Sequence, residues 1–289
     1  MTAVGALIAG GVFIIAPLLR RVVTTEAARE NAAPIAPDWN AVLDASVPAA
    51  RQLTAAQRSR LLVLSRELLE TRRWEGCGGF ELDSEKRLVI AAQASLLTLA
   101  TPGAPYPSLR AILVYPEGFV AGRVRDMRKW VPASDPETPS PELGESWNDG
   151  TVIIGWEASL SGAADPGDGT NLVIHEFAHQ FAFDHHLIPL PISQSILTEG
   201  WFGVERPWER VPDVRDADAW LHTLREGYDR RVAKGDVPSV LDEYATTNYA
   251  EFFAVATEVF FERPAQLKNE DRALYGQLAA LFRQDPASA

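Results

Sequence analysis

The chain has 289 residues, 46% of them apolar, which is enough for a sizeable core in one large domain or two small ones. Its formal net charge of −12 argues against a general nucleic-acid surface, because backbone phosphates reward clustered Lys and Arg. The single cysteine, Cys77, excludes an intramolecular disulfide and a Cys-based zinc site, and it fits a reducing compartment.

Met1 to Asn31 stands apart. Ala3 to Leu19 is an unbroken apolar run, followed at once by Arg20 and Arg21. The run lies at the lower limit of a membrane span, which takes roughly 17–25 residues. A secretory signal carries positive charge ahead of its apolar run, and none stands there. Charge after the run favours a cytoplasmic C-terminal side. The expectation is a single-pass anchor over residues 1–24 in the cell membrane, with the rest of the chain facing the cytoplasm. A soluble cytoplasmic protein is the alternative, since Gly5, Gly10, Gly11 and Pro17 weaken a helix there. A linker and leading helix are expected over 25–50, and one main domain over 51–289.

Thr54 suits the N-cap of a helix over 54–73, where Leu61, Leu62, Leu64, Leu68 and Leu69 repeat at helical spacing. WEGCGGFEL (74–82) reads as a glycine-rich turn, and 84–100 as a buried helix capped by Ser84. AILVY (111–115) and TVIIGW (151–156) are short strand candidates, separated by a proline-rich acidic loop over 131–145. GAADPGDG (162–169) is another turn. Helices are expected over 170–183, entered through Thr170 or Asn171, and over 216–235, ending at Gly235. A strongly apolar helix over 248–264 is stopped by Pro264, and a last one runs from Glu270 to Gln284. The pattern is α+β and helix-rich, with a small sheet ahead of the helix that begins near Thr170.

That helix carries HEFAHQFAFDHH (175–186), with four of the chain's five histidines. His175 and His179 lie four apart, so both imidazoles can aim at one ion from one helix face. Neutral imidazole is a good zinc donor, and a catalytic zinc site keeps one position open. Glu176 stands beside His175, where a carboxylate can take a proton from an attacking water and pass it to a leaving amine. The plain alternative is two core histidines that satisfy each other. Two histidines and a glutamate among Leu172, Val173, Ile174, Phe177 and Phe181 are costly to bury without such partners.

Two places compete for the third ligand. His185 has the spacing of HExxHxxGxxH, but Ala182 stands where that pattern needs glycine. The chain's methionines, Met1 and Met127, both lie upstream of the motif, so the downstream methionine turn is missing. His185 and His186 are therefore expected to be loop residues near the site. Glu251, on the 248–264 helix, would complete a His2Glu site. It could instead be a capping-box glutamate three residues after Asn248. Glu258, two turns on along the same face, is a rival ligand or a partner behind one.

From about Trp74 to Pro264 the chain resembles the Mlc titration factor A family of zinc peptidases. The blocks that carry the resemblance are WEGCGGFEL, IAAQASLLTL (90–99), ILVYP (112–116), GESWNDGTVIIGW (144–156), DGTNLVIHEFAHQ (168–180), and DEYATTNYAEFFAV with TEVFFERP (242–264), in that order. The resemblance implies a zincin-like metallopeptidase domain with Zn2+ held by His175, His179 and Glu251. It implies Glu176 as the catalytic carboxylate and Tyr244, seven residues before Glu251, as a phenol that steadies the oxyanion. Such a donor acts strongly in a water-poor site. The sequence departs from the family pattern at Phe181 and Ala182, where Leu-Asp is usual, leaving the next aspartate at Asp184. It departs again at Tyr249, where proline is common before the AEFF block, and in the N-terminal anchor, which the soluble founding member lacks.

The expected function is a zinc metallopeptidase, aminopeptidase-like on short peptides, with substrate held by strand addition along TVIIGW. The alternative is a regulatory protein that sequesters a transcriptional repressor, as the founding member binds a glucose-responsive one. The apolar, proline-bearing 187–206 segment or the C-terminus would serve as that surface. A third reading is a zinc-bearing structural domain without catalysis.

Overall fold

In the computed structural model the residues described are 39–116, 150–165, 167–188, 217–235 and 237–288. The anchor expected over 1–24, the loop over 131–145 and the 187–206 segment beyond Ile188 lie outside them. Among the described residues no helix is long and apolar enough to cross a membrane.

The chain enters through helix α1 (Trp39–Ser46) and a 3-10 turn (Pro48–Gln52). Helix α2 (Ala55–Thr71) starts at Thr54 with a full capping box: the Thr54 side chain accepts from the Gln57 amide, and Gln57 reaches back to the cap backbone. Residues 73–76 then form strand β1 (Arg73–Gly76), across the expected end of the 54–73 helix and the start of the stretch expected to be a turn. Trp74 explains the difference: it is buried in the core while Arg73 and Glu75 on either side are exposed, the alternation of a strand. The glycines turn the chain only afterwards. Helix α3 (Ser84–Leu97) is capped by Asp83, which accepts from the Lys86 amide at 2.9 Å, rather than by Ser84.

Strand β2 (Ala111–Tyr115) and strand β3 (Thr151–Gly155) complete a parallel sheet of order β1-β2-β3. Trp74 lies opposite Ile112, and Ile112 opposite Val152. Parallel neighbours need a crossover, and α3 supplies it between β1 and β2. Among the described residues β3 pairs with β2 alone. The chain leaves β3 directly into helix α4 (Trp156–Ala164), an element the Ala- and Gly-bearing sequence did not announce.

Three helices are buried almost all round. Every residue of α3 from Leu88 to Leu97 is buried. Its two sides serve two clusters: Ile90, Ala91, Ala94 and Leu97 join the sheet, whereas Leu88, Val89, Ala92 and Leu96 pack with Trp39 and Leu43 of α1 and Leu61 of α2. A helix apolar on all sides is a core helix, which is why no amphipathic period marks it. Helix α5 (Leu172–Asp184) packs against β3, α3 and α4, and also against helix α7 (Tyr249–Glu262). Between them in sequence comes α6 (Ala217–Lys234), followed by a 3-10 turn (Glu243–Thr246). Pro264 ends α7 and opens α8 (Pro264–Glu270), its missing amide harmless at a helix start. Helix α9 (Arg272–Phe282) closes the fold, with Phe282 stacked among Phe181, Phe253, Phe260 and Phe261.

Candidate metal centre

Helix α5 begins at Asn171, whose Oδ1 accepts from the Ile174 amide at 3.0 Å. Gly169, just before it, takes φ +86°, and a Cβ there would stand 2.7 Å from Cδ of Arg263. Both facts require glycine in the turn that aims the helix. His175 and His179 then fall one turn apart, only 2% and 4% exposed.

Helix α7 faces them. Asn248 caps it, accepting from the amides of Ala250 and Glu251 at 2.8 and 3.0 Å. Gly227 of α6 lets α7 come close, since a Cβ there would stand 2.8 Å from Cζ of Phe252. The Glu251 carboxyl turns away from the cap toward the histidines, so it closes no capping box. Instead its Oε2 lies 3.0 Å from His175 Nε2 and 3.3 Å from His179 Nε2, and the two Nε2 atoms are 3.1 Å apart.

Those three distances carry a physical message. A tetrahedral ion with bonds of roughly 2.0–2.1 Å holds its ligands about 3.3 Å from one another. For a neutral His175, hydrogen bonding alone explains the triangle poorly. Glu258 Oε1 lies 2.7 Å from His175 Nδ1, and a carboxylate can only accept, so the proton of a neutral His175 sits on Nδ1. Nε2 then turns a lone pair toward a carboxylate oxygen and another imidazole nitrogen. Converging lone pairs in a buried place are what a cation satisfies, and the donor set of two imidazoles and one carboxylate fits a divalent metal such as zinc. Among the described residues this is the one such group of three.

The local field agrees. Burial alone would lower the His175 pKa, but Glu258 and Glu251 outweigh it and hold it well above the ordinary value. Burial, with His175 alongside, lowers that of His179. Burial likewise opposes the charge on Glu251, yet its bonds to His175 and His179 hold that carboxyl far below the usual range. The carboxylates thus stabilise positive charge at the His175 edge, on the imidazole or on an ion among the three donors.

Glu176 follows His175, half-buried, its charge felt by both His175 and Tyr244. The Tyr244 ring lies 5.9 Å from that of His175. It is delivered by the 3-10 turn after α6, whose start is capped by Asp242 accepting from the Tyr244 amide at 2.9 Å. Arg231 and Tyr228 of α6 hold that segment: Arg231 donates to the Leu241 carbonyl at 2.8 Å and the Tyr228 hydroxyl to that of Thr246 at 3.0 Å. Burial, then the Glu251 carboxylate, push the Tyr244 phenol far above its ordinary pKa, so it stays a donor.

The structure brings His175, His179, Glu251, Glu176 and Tyr244 together and leaves two other candidates out. His185 is the C-cap of α5, its ring stacked 4.2 Å from that of Phe181, and takes no part in the cluster. Asp184 binds Ser108 and Gln180, tying the end of α5 to the approach to β2. It orients neither histidine. Glu258 does that for His175, and its Oε2 also accepts from the Asn171 amide at 2.6 Å. Glu262 accepts from Asn171 Nδ2 at 3.2 Å. Asn171 and Glu262 went unnoticed in the sequence as site residues. The signal was there in the acids of an apolar helix, which need a reason to be buried.

A family model described as glucose-regulated metallo-peptidase M90 matches residues 21–186 and 208–283. This chain belongs to that family. As an M90 metallopeptidase it is 32% identical over 256 residues to an uncharacterized protein of Synechocystis sp., covering 88% of this chain and 86% of the relative. It is 29% identical over 263 residues to the Mlc titration factor A of Salmonella schwarzengrund, covering 86% of each, and 28% identical to that of Salmonella agona over the same span. The match reaches beyond the 74–264 stretch that carries the motif blocks, and takes in the first helices and the C-terminal pair.

Proposed function

We propose that this M90 metallopeptidase is a zinc-dependent, aminopeptidase-like enzyme that hydrolyses short peptides. The observation that carries the reading is the convergence of His175 Nε2, His179 Nε2 and Glu251 Oε2 within 3.3 Å, with Glu176 next along the helix. His175, His179 and Glu251 would hold the ion. Zinc, when bound, supplies Lewis-acid chemistry, polarising a carbonyl and acidifying water toward a pKa of roughly 7. The Glu176 carboxylate takes the proton of the attacking water and delivers it to the departing amine. The Tyr244 hydroxyl donates to the oxygen on which negative charge develops. A substrate strand alongside β3 would present its peptide bond to these groups. The acids near the histidines and Tyr244, Glu176 and Asp242, favour a substrate with a free, cationic amino terminus.

Glu176→Ala tests the reading. Turnover of aminoacyl and short-peptide reporters should fall by about 10²–10⁴-fold, the usual worth of a positioned general base, with bound zinc unchanged. Undiminished turnover would remove Glu176 from the chemistry. Reporters with acetylated amino termini should be poor substrates, and equal rates on both forms would count against aminopeptidase character.

A second reading has one supporting fact, the name Mlc titration factor borne by relatives at 28–29% identity. Under it the protein also sequesters a transcriptional repressor. Co-purification of a host repressor with the wild type and with His175→Ala supports that reading, and its absence from both counts against it.

A further inference from the structure

Glu251 and Glu258 are seven residues apart on α7, so two turns of one helix present both carboxylates to α5. Glu251 meets the metal-facing edge of His175 at Nε2, and Glu258 meets the opposite edge at Nδ1. The other oxygen of Glu258 accepts the backbone N–H of Asn171, the residue that starts the helix. A buried carboxylate 7% exposed therefore spends one oxygen on the imidazole and the other on the helix start.

We propose that Glu258 is the positioning residue of the metal centre: it keeps the proton on His175 Nδ1, leaves the Nε2 lone pair for the ion, and fixes the first turn of α5 against α7. The proposal rests on the metal-site reading above. It makes the affinity of the site depend on a residue that touches no metal. The imidazole is locked in tautomer and in rotation, so it loses less freedom on coordinating, and a charged acceptor behind it makes Nε2 a better donor. Glu262 supplies the contrast. It lies one turn further along α7 and touches the Asn171 side chain, not the histidine. A purely structural role at the helix start would make the two glutamates equivalent; a role at the metal makes them differ.

The test is zinc affinity by competition with a chromophoric chelator, on full-length wild type, Glu258→Gln, Glu258→Asp, Glu262→Gln and His175→Ala. Glutamine keeps the shape of glutamate but cannot accept from both His175 Nδ1 and the Asn171 amide. Zinc affinity in Glu258→Gln should fall by about 10–100-fold, the range for such outer partners, while Glu262→Gln stays close to wild type. Equal affinity in folded Glu258→Gln and wild type overturns the proposal, as does an equal loss in both Gln variants. Should Glu258→Gln fail to fold, Glu258→Asp decides, because it keeps the charge and withdraws it by one methylene. Weaker zinc binding there supports the proposal, and wild-type binding overturns it. Folded His175→Ala that still holds zinc would sink the metal-site reading itself, whereas loss in His175→Ala with retention in Glu258→Gln sinks only the role of Glu258.

Discussion

At the scale of single residues, the centre works by placing acids where an apolar helix can hold them only with partners. Glu262 shows the cost. Its Oε1 accepts from Asn171, its Oε2 is buried without a hydrogen-bond partner among the described residues, and burial pushes its carboxyl up to about 8. Asp168, Glu258 and Asp165 add to the rise, and the Asn171 amide opposes it. A carboxyl whose pKa rises from 4.5 to about 8 on folding holds its proton longer in the native state. Its contribution is greatest below pH 4.5 and is lost as pH climbs toward 8. Glu262→Gln, which cannot ionise, should therefore gain stability relative to wild type between about pH 5 and 9, read from thermal unfolding at several pH values. Parallel pH curves for the two proteins would show that Glu262 ionises normally.

At the scale of helices, stability depends on caps. Asn248 satisfies two amides at the start of α7, the helix that carries Glu251, Glu258 and Glu262. Asn248→Ala should lower the folding free energy by about 1 kcal/mol, as losing an Asn cap commonly does. A denaturation midpoint equal to wild type would mean that the cap is idle. The limits of α7 and of β2 were readable because their signals are local: a capping Asn and a following Pro, and a run of five β-prone residues. Strand β1 was hidden because its three residues before Gly76 sit between a helix end and a glycine-rich turn, and only the pairing of Trp74 with Ile112 makes them a strand. Helix α4 was hidden for a like reason, since Ala, Ser and Gly say little until β3 and α5 pack beside them. Sequence spacing likewise put Glu251 and Glu258 on one face and favoured Glu251 only slightly. The choice needed the two edges of one imidazole, Nε2 for Glu251 and Nδ1 for Glu258, and those exist only once α5 and α7 are docked.

Over the whole molecule, the fold is a device for docking two helices. The sheet and α3 bury the back of α5 through Val173, Ile174, Phe177 and Ala178, while the aromatic cluster around Phe253, Phe260 and Phe282 seats α7. Candidate ligands more than seventy residues apart in sequence thus meet in a site without slack, and membership of the M90 family fits that arrangement. The measurement that bears most directly is metal content by mass spectrometry on purified wild type, His175→Ala and Glu251→Ala, with peptide hydrolysis assayed on the same samples. About one zinc per chain in the wild type, with metal and hydrolysis lost together in both variants, is the expected result. A full complement of metal in folded Glu251→Ala, or undiminished hydrolysis in a metal-free sample, would contradict it.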